Sequence, residues 1–293
     1  MALVQRLSNL PAVTQSPTLR AFVTAAWLGW QIESNWARPF LFAVYAIARP
    51  ISSVLILVVM YSVITNGATG EPIFAFIYFG NALYILVNSV VTGVSWAVIE
   101  DREHYRVAKQ IYTAPMNTYA YLLGRGVARL IIGSVSVLIT LVFGVIAFRI
   151  PLDINVLLLV TATILGLASL SALGVILGAV TMQTARLQTD LGSLVSGGLY
   201  LFTGAIFPLD VLPAWLQPVG YLFPVTYWLE VTRRALLGVN SARFPTFASF
   251  SDWGLIGVLA VMTALLWLIS GWVYRTSLRR SKEEGLLDIE TNF

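Results

Sequence analysis

Ionisable side chains are most concentrated in one short segment of this chain, EDREHYRVAKQIYTAP, which runs from Glu100 to Pro115. Six of its first ten residues are Asp, Glu, Arg or Lys, and the segment also contains His104, the only histidine. Carboxylates beside a histidine are the residue types of acid–base catalysis and of metal binding. With one histidine and no cysteine, however, the chain cannot form a His-x-x-x-His metal pair or a Cys–His couple, so we interpret His104 as a solvated loop residue.

A second charged group stands in a largely apolar region towards the C-terminus. Glu230 precedes Arg233 by three residues and Arg234 by four, which are the spacings at which side chains meet on one helix face. Ionisable groups at membrane depth are functional candidates by default, because their burial in lipid is costly. Close to a membrane interface, a structural ion pair is an equal alternative. The sequence therefore leaves open whether this group is a gate or a structural brace.

Nucleotide chemistry has no sequence basis in this chain. The phosphate-binding P-loop requires Gly-Lys-Ser or Gly-Lys-Thr. The only two lysines are Lys109, which follows an alanine, and Lys282, which follows a serine. No soluble segment is long enough to form an ATPase domain. We therefore predict no cofactor in this chain, and any ATP-driven activity would need ATP and Mg²⁺ bound by a partner subunit.

The composition is that of an integral membrane protein. The chain is 58% hydrophobic and 11% charged, whereas soluble domains carry about 25% charged residues, and its mean hydropathy is +0.80. A membrane-crossing helix needs roughly 20 mostly apolar residues. Six segments meet this need and none shows the period-two alternation of a β-barrel, so we predict an all-α fold with six transmembrane helices. The six are about 41–64, 73–99, 121–148, 156–182, 190–209 and 253–274.

The distribution of positive charge predicts the orientation. An even number of spans puts both termini on one side of the membrane, and that side holds fourteen of the eighteen lysines and arginines. Loops rich in Lys and Arg stay in the cytoplasm, so we predict cytoplasmic N- and C-termini in the cytoplasmic membrane. The same rule explains the net charge of +4 without any need for nucleic acid as a partner.

The segment before the first span predicts an amphipathic helix. Ser16 followed by Pro17 is a favourable helix start, and residues 1–16 lack the apolar core of a cleavable signal peptide. Apolar residues then recur on one face, which favours a helix lying in the cytoplasmic interface in contact with membrane lipids; packing on a protein partner is the alternative. The face consists of Leu19, Phe22, Val23, Ala26, Trp27 and Trp30. We predict a cytoplasmic segment 1–40, a transmembrane domain 41–275 and a cytoplasmic tail 276–293.

The charged segment itself also reads as a short helix on the cytoplasmic side. Its acids precede its bases, which suits the helix dipole, and Pro115 ends it. Tyr105, Ala108 and Tyr112 would form a small apolar strip. The simplest explanation of the charge is that a cytoplasmic loop is solvated, and a docking role is the sharper alternative.

Two groups of residues resemble the ABC-2 type export permeases. The first is Asp101-Arg102-Glu103 followed by a short helix and Ala114-Pro115; it departs from the commoner pattern, since Tyr105-Arg106-Val107 replaces Gly-Thr. The second runs from Thr203 to Gly238, and several fixed spacings match together there. Its matching residues are Gly204, Phe207-Pro208, Leu212-Pro213-Ala214-Trp215-Leu216, Pro224-Val225-Thr226-Tyr227, Glu230 and Arg233.

The resemblance implies a permease subunit of an ATP-driven exporter. The 100–113 helix would be the coupling helix that docks into a separate ABC ATPase, with two ATPases and a second permease copy or paralogue in the complex. The implied coupling residues are Glu100, Asp101, Arg102, Glu103, Tyr105, Arg106, Lys109 and Tyr112.

The resemblance also implies a gate and a path. Because four prolines break the region, it cannot be one spanning helix, and we predict re-entrant helices within an outer element 208–240. Its candidate gate residues are Phe207, Pro208, Pro213, Trp215, Pro224, Tyr227, Glu230 and Arg233. Spans two and five would line the path of an amphiphilic drug, lipid or lipid-linked glycan, with Tyr84, Asn88, Trp96, Tyr200 and Phe202 as candidates.

Other classes of function remain possible on sequence grounds. An ion-coupled carrier usually places ionisable groups in mid-membrane, which most of these spans lack. A membrane-embedded lipid-modifying enzyme would need a nucleophile–base pair that the sequence does not supply. A scaffold that only recruits a partner is the fourth alternative.

Overall fold

The computed structural model describes residues 16–34, 39–67, 70–183, 188–238, 241 and 244–286. Within these residues the chain is helical and has no strand, as the all-α prediction requires. The N-terminal 15 residues and the last seven lie outside the described part. The helices are α1 (Pro17–Ser34), α2 (Pro39–Ile64), α3 (Pro72–Ile99), α4 (Ala108–Thr113), α5 (Thr118–Phe148), α6 (Val156–Gln183), α7 (Gln188–Phe202), α8 (Gln217–Tyr221), α9 (Pro224–Leu237), α10 (Pro245–Ala248) and α11 (Asp252–Glu283).

Five helices of the described part are long and apolar enough to cross a membrane. They correspond to the predicted first, second, third, fourth and sixth spans, so the chain is a multi-pass membrane protein. The five stretches are Ala46–Ile64, Pro72–His104, Thr118–Phe148, Val156–Gln183 and Asp252–Glu283. The last of them continues well past the predicted end at residue 274, so the predicted C-terminal tail begins as helix.

The predicted fifth span differs from the structure. Helix α7 ends at Phe202, and residues 203–208 form turns and bends rather than helix. Gly204 has a φ of +73°, a left-handed conformation that interrupts a helix and that glycine adopts readily. The apolar part, Leu191–Phe202, is shorter than the roughly 20 residues that cross a bilayer. Residues 184–187 are outside the described part, and a sixth span stays a prediction.

The helix boundaries follow from local side-chain chemistry. The Oγ atom of Ser16 accepts a hydrogen bond from the amide of Leu19 at 3.4 Å, which confirms the predicted start of α1. The Asn117 side chain caps α5, and that of Ser251 caps α11. Each cap satisfies an amide that the first helical turn leaves without an intrahelical partner.

Helix α3 is the central element of the fold. In the most apolar 18 residues of α3, 67% of the residues are buried inside the chain, against 33% or less in the same length of the other four long helices. It packs against α2, α5, α6, α7 and α9. Any displacement of α3 therefore affects most of the transmembrane packing.

Small residues set the distance between these helices. Cβ atoms added at Gly174 and Gly178 of α6 would meet Val94 of α3, and one at Gly192 of α7 would meet Thr92. These small residues therefore allow α6 and α7 to pack closely on α3 within one chain.

Helix α1 packs closely along α5. Its buried residues are Ala25 and Gly29, and Gly29 lies against Ala128. The predicted apolar face is half-buried beside this contact, with Leu19 more exposed. The structure thus adds a contact within the chain, while the interfacial position of α1 stays a prediction.

We predict that Gly124→Ala on α5 loosens this contact. An added methyl group would collide with the backbone carbonyl of Phe22 and with Ala25, and a backbone atom cannot move aside cheaply. Overpacking of this kind costs about 1–3 kcal/mol, to be measured as a loss of thermal stability in detergent. In the matched control, Gly271→Ala, the methyl group meets open space. An equal loss of stability in both variants would contradict the close contact.

Candidate functional site

The acidic residues at the C-terminal end of α3 are held by an arginine of α5. Arg125 Nη2 lies 2.9 Å from Glu100 Oε2 and 3.5 Å from Asp101 Oδ1. The hydroxyl of Tyr121 donates a hydrogen bond of 2.9 Å to Asp101 Oδ2. Asp101 and Arg125 are only 1% and 3% exposed. The ion pair therefore joins two membrane helices out of contact with water.

A second arginine extends this cluster to the N-terminal helix. Arg129 forms an ion pair with Glu33 of α1 and lies 3.9 Å from Glu100. Its aliphatic chain lies close over Gly93 of α3, where no side chain intervenes. Burial raises the pKa of the Glu33 carboxyl, and the Arg129 guanidinium opposes that rise. We call Glu33, Glu100, Asp101, Arg125 and Arg129 the inner cluster.

The prediction of one continuous helix from Glu100 to Tyr112 is wrong. Residues Glu100–His104 continue α3 as one π-helical turn, and α4 begins only at Ala108. Between them, Arg106 has a left-handed φ of +53°. The amide of Val107 donates to the Asp101 carbonyl, six residues earlier, at 2.9 Å, and this bond closes the turn after the π-helical residues. The segment is therefore two short pieces joined at a fixed bend.

The expectation of a fully solvated charged segment is also wrong. Asp101 and Arg102 are buried, and Arg102 donates from Nε to Glu103 at 3.0 Å. The predicted apolar strip is divided: Tyr112 is buried, while Tyr105 is 42% exposed. Among the candidate coupling residues, Tyr105, Arg106 and Lys109 are exposed, and Glu100 and Glu103 are half-buried.

The outer element, 208–240, contains short helices separated by turns, and their re-entry into the membrane stays a prediction. Pro208 precedes a single 3₁₀ turn, and α8 and α9 follow with prolines in their first turns. Near the start of this element, Asp210 accepts a hydrogen bond from the amide of Thr246 at 3.0 Å. At its end, the amides of Asp153 and Asn155 donate to carbonyls of α9. Side chains and neighbouring backbone thus satisfy the polar groups that the helix breaks leave exposed.

Arg233 connects α9 to the bend after α7. Its Nη2 donates to the carbonyls of Gly204 at 2.6 Å and Ala205 at 3.2 Å. Its guanidinium lies 3.8 Å from the ring centroid of Phe76. A Cβ atom on Gly80 would collide with this guanidinium, so a glycine of α3 leaves room for it.

Glu230 and Arg234 complete a buried charged group on α9. Arg234 lies 2.8 Å from Glu230 and 3.1 Å from Asp252 at the start of α11, while Glu230 lies 3.9 Å from Arg233. Arg234 also donates to the carbonyls of Phe247 and Phe250. The predicted pairing of Glu230 with both arginines is present, in the geometry of a brace between helices.

The other gate candidates divide by exposure. Pro208, Pro224 and Tyr227 are buried, and Phe207 is half-buried. Pro213 and Trp215 face outward, and Trp215 is 76% exposed. The buried members stabilise the element, while the exposed pair lies at its surface.

A line of polar side chains joins α3 to α7. The hydroxyl of Tyr200 donates to Asn81 at 2.5 Å, and Ser196 donates to Asn88 at 2.7 Å. Tyr84 hydrogen-bonds Ser196, and its ring lies 4.6 Å from that of Tyr200. We call these five residues the polar seam.

Three path candidates belong to the polar seam and two do not. Tyr84, Asn88 and Tyr200 are members; Trp96 is 44% exposed and Phe202 is half-buried outside the seam's hydrogen bonds. Sequence reasoning missed Asn81 as a member. The signal available for it was an amide inside an otherwise apolar span, because such a group needs a partner.

This arrangement agrees with the comparisons with known proteins. The family model for ABC-2 family transporter proteins matches residues 42–272, so the chain belongs to the ABC-2 transporter family. It is 24% identical over 154 residues to the probable multidrug ABC transporter permease YbhR of Escherichia coli K12, covering 52% of this chain and 41% of YbhR. It is 25% identical over 218 residues to the probable doxorubicin resistance ABC transporter permease protein DrrC of Mycobacterium tuberculosis H37Rv, covering 71% of this chain and 75% of DrrC.

Family membership confirms the resemblance seen in the sequence. The chain is a multi-pass membrane protein of the ABC-2 transporter family, and the curated relatives that it matches are named as permeases of ABC transporters.

We predict a strong energetic coupling within the inner cluster. Arg125→Gln leaves the buried Asp101 and the partly buried Glu100 without this counter-ion and should cost about 3–5 kcal/mol of stability. Adding Asp101→Asn should recover about 1–3 kcal/mol of that loss. A double-mutant cycle on thermal or denaturant unfolding measures the coupling.

The exposed pair Arg279 and Glu283 on α11 provides the matched control. Its atoms lie 2.7 Å apart, but its side chains are 80% and 59% exposed. Solvent screening should leave its coupling small. A coupling between Asp101 and Arg125 as small as that of this pair would show that the inner cluster is not a structural connection.

Proposed function

We propose that this chain is the membrane-spanning subunit of an ATP-driven exporter that moves an amphiphilic compound outward across the cytoplasmic membrane. Two separate ABC ATPase subunits would bind the ATP and Mg²⁺, and a second permease copy or a paralogue would complete the complex. Both termini would lie in the cytoplasm. Membership of the ABC-2 transporter family counts against the two alternatives, an ion-coupled carrier and a lipid-modifying enzyme.

The observation that carries this proposal is the position of α3. At its inner end, α3 continues into the charged turn Glu100–His104; nearer its outer end, it carries the polar seam with α7. A helix transmits axial displacement well, because all its backbone hydrogen bonds are internal. A push on the exposed part of the 100–113 segment would therefore reach the polar seam through one element.

The inner cluster supports the same role. Its ion pairs join α3 to α5, and through Glu33 to α1. A force from a docked ATPase would consequently move these three helices together rather than bend the segment away. Glu103, Tyr105, Arg106 and Lys109 would make the contact, and the buried Asp101, Arg102 and Tyr112 would transmit it.

The outer element would act as the fixed end of the path. Arg233 and Arg234 connect α9 to the α7 bend and to α11. This geometry favours a brace, and opening would involve the exposed outer surface around Trp215 rather than the buried charges.

The amphiphilic cargo is supported by the seam and by the relatives. Tyrosines present an apolar ring and a polar hydroxyl, which suits a compound with both kinds of surface. The names of YbhR and DrrC refer to multidrug transport and to doxorubicin resistance. By analogy, we propose a hydrophobic small molecule or lipid for this chain.

The coupling role predicts the effect of a double charge reversal, Glu103→Arg with Arg106→Glu. Stimulation of the partner ATPase by the permease should fall to near the level of the ATPase alone, because the reversed charges oppose docking. Membrane insertion should be retained. Because Glu103 also pairs with the buried Arg102 at 3.0 Å, the single variant Arg106→Glu, at an exposed residue, is measured beside the double variant; it should lower the stimulation without loss of thermal stability. The control reverses Arg279 and Glu283, which are also exposed on the inner side. Undiminished stimulation in the first variant would exclude the docking role.

Orientation can be tested independently, because the chain has no cysteine of its own. A cysteine introduced at Asn66, between α2 and α3, should react with an impermeant thiol reagent added to intact cells. One introduced at Arg106 should react only after the membrane is opened. Both positions are exposed, so accessibility of the side chain does not bias the comparison. The reversed labelling pattern would overturn the orientation.

A further inference from the structure

A polar cavity of about 320 Å³ lies among α1, α2, α3 and α5. Two arginines, Arg49 of α2 and Arg129 of α5, line it together with Glu33 of α1. Hydroxyl and amide groups contribute the rest of its polar surface, among them Ser53, Asn88 and Ser136. Binding pockets for small ligands begin at about 300 Å³, so the cavity has room for a headgroup-sized ligand.

The chemistry of this lining favours an anion. The residues that line the cavity include two guanidinium groups and a single carboxylate, that of Glu33, which is already held by Arg129. Proteins commonly bind phosphate and carboxylate oxygens with the guanidinium groups of arginine and with hydroxyl groups. Ala46, Pro50, Ile85 and Ile132 supply apolar surface in the same cavity. A ligand that satisfied both parts would have an anionic head and an apolar tail.

The position of the cavity along α3 matches the inner leaflet. Thr92 and Ile85 both line it and lie seven and fourteen residues before the end of α3 at Ile99. At 1.5 Å per residue these are depths of about 10 Å and about 20 Å from the inner end of the helix. The hydrocarbon core is about 30 Å thick. The cavity therefore extends from the inner leaflet towards the middle of the bilayer.

The cavity is also connected to the polar seam. Asn88 lines the cavity and accepts the hydrogen bond of Ser196, which belongs to the seam. Thr92 and Arg129 also line a second cavity of about 320 Å³ on the other side, beside Gly192 of α7. Polar surface thus continues from the cavity to the α3–α7 contact.

We propose that this cavity binds the anionic headgroup of an inner-leaflet amphiphile, with Arg49 and Arg129 on the head and the apolar walls of α2 and α5 on the start of its tail. The proposal concerns binding and rests on the proposed function only for the orientation that faces the cavity to the inner leaflet. Arg129 is held by Glu33, so it is a fixed charge at the mouth. Arg49 is exposed at the opening on α2 and meets the incoming head first.

Native mass spectrometry of the purified chain in detergent tests the proposal without any ATPase. The probes are dioctanoyl phosphatidylglycerol, which is anionic, and dioctanoyl phosphatidylcholine, which is zwitterionic. We expect tighter binding of the anionic lipid, and Arg49→Gln should weaken it about tenfold, the usual effect of losing one charged hydrogen bond. Arg275→Gln, which removes an exposed arginine outside the cavity, is the matched control and should leave binding unchanged. Equal binding of the two lipids, or equal effects of the two substitutions, would overturn the proposal.

A second pair of variants tests the cavity by volume. Ser53→Trp should fill it and abolish binding of the anionic lipid, while Ser52→Trp, on the neighbouring exposed residue that does not line the cavity, should not. Glycerol 1-phosphate serves as a free anion without a tail. Binding of it as tight as that of the lipid would overturn the assignment to an amphiphile.

The lipid-binding result can be distinguished from the result of the ATPase-coupling test. Intact lipid binding together with failed ATPase coupling would leave the site and remove the exporter role. Intact ATPase coupling with no lipid binding would leave the exporter role and remove the headgroup site.

Discussion

The ion pairs of Arg125 with Glu100 and Asp101 are the constraint on which the packing around the C-terminal end of α3 depends. Charges removed from water are tolerated only when they are paired and hydrogen-bonded. Because the acids end α3 and the arginine lies on α5, their pairing determines where these two helices meet. The same contact ends α3 in a π-helical turn, so the charged segment leaves the helix at a fixed bend instead of forming a separate rod.

Around α9, buried polar groups are satisfied by different partners. Backbone carbonyls freed at the α7 bend receive the guanidinium of Arg233, and those of the loop before α11 receive Arg234. Irregular backbone at membrane depth is stable only when protein or water satisfies it. Two arginines on one short helix therefore permit the chain to bend where a membrane helix would otherwise have to continue.

Helix α3 links these two ends and is the element through which they can communicate. Its inner end belongs to the ion pairs, its middle borders the polar cavity and the seam with α7, and Gly80 near its outer end leaves space for Arg233. The proposed coupling, path and headgroup site consequently share one helix. Movement of that helix would change all three together, which is what a transporter driven from one face requires.

Much of this architecture follows from the sequence by itself. Long apolar segments, the scarcity of charge and the capping residues at Ser16 and Pro17 determine an all-helical membrane protein, because lipid admits few other backbone structures. Prolines likewise determine that the outer element is broken. Only the tertiary structure decided that Asp101 and Arg102 are buried, that α7 stops at Phe202, and which partners Arg125 and Asn81 have. The reason is that spacing along the chain predicts contacts within one helix, whereas the partner of a buried charge or amide comes from another helix whose position depends on all the others.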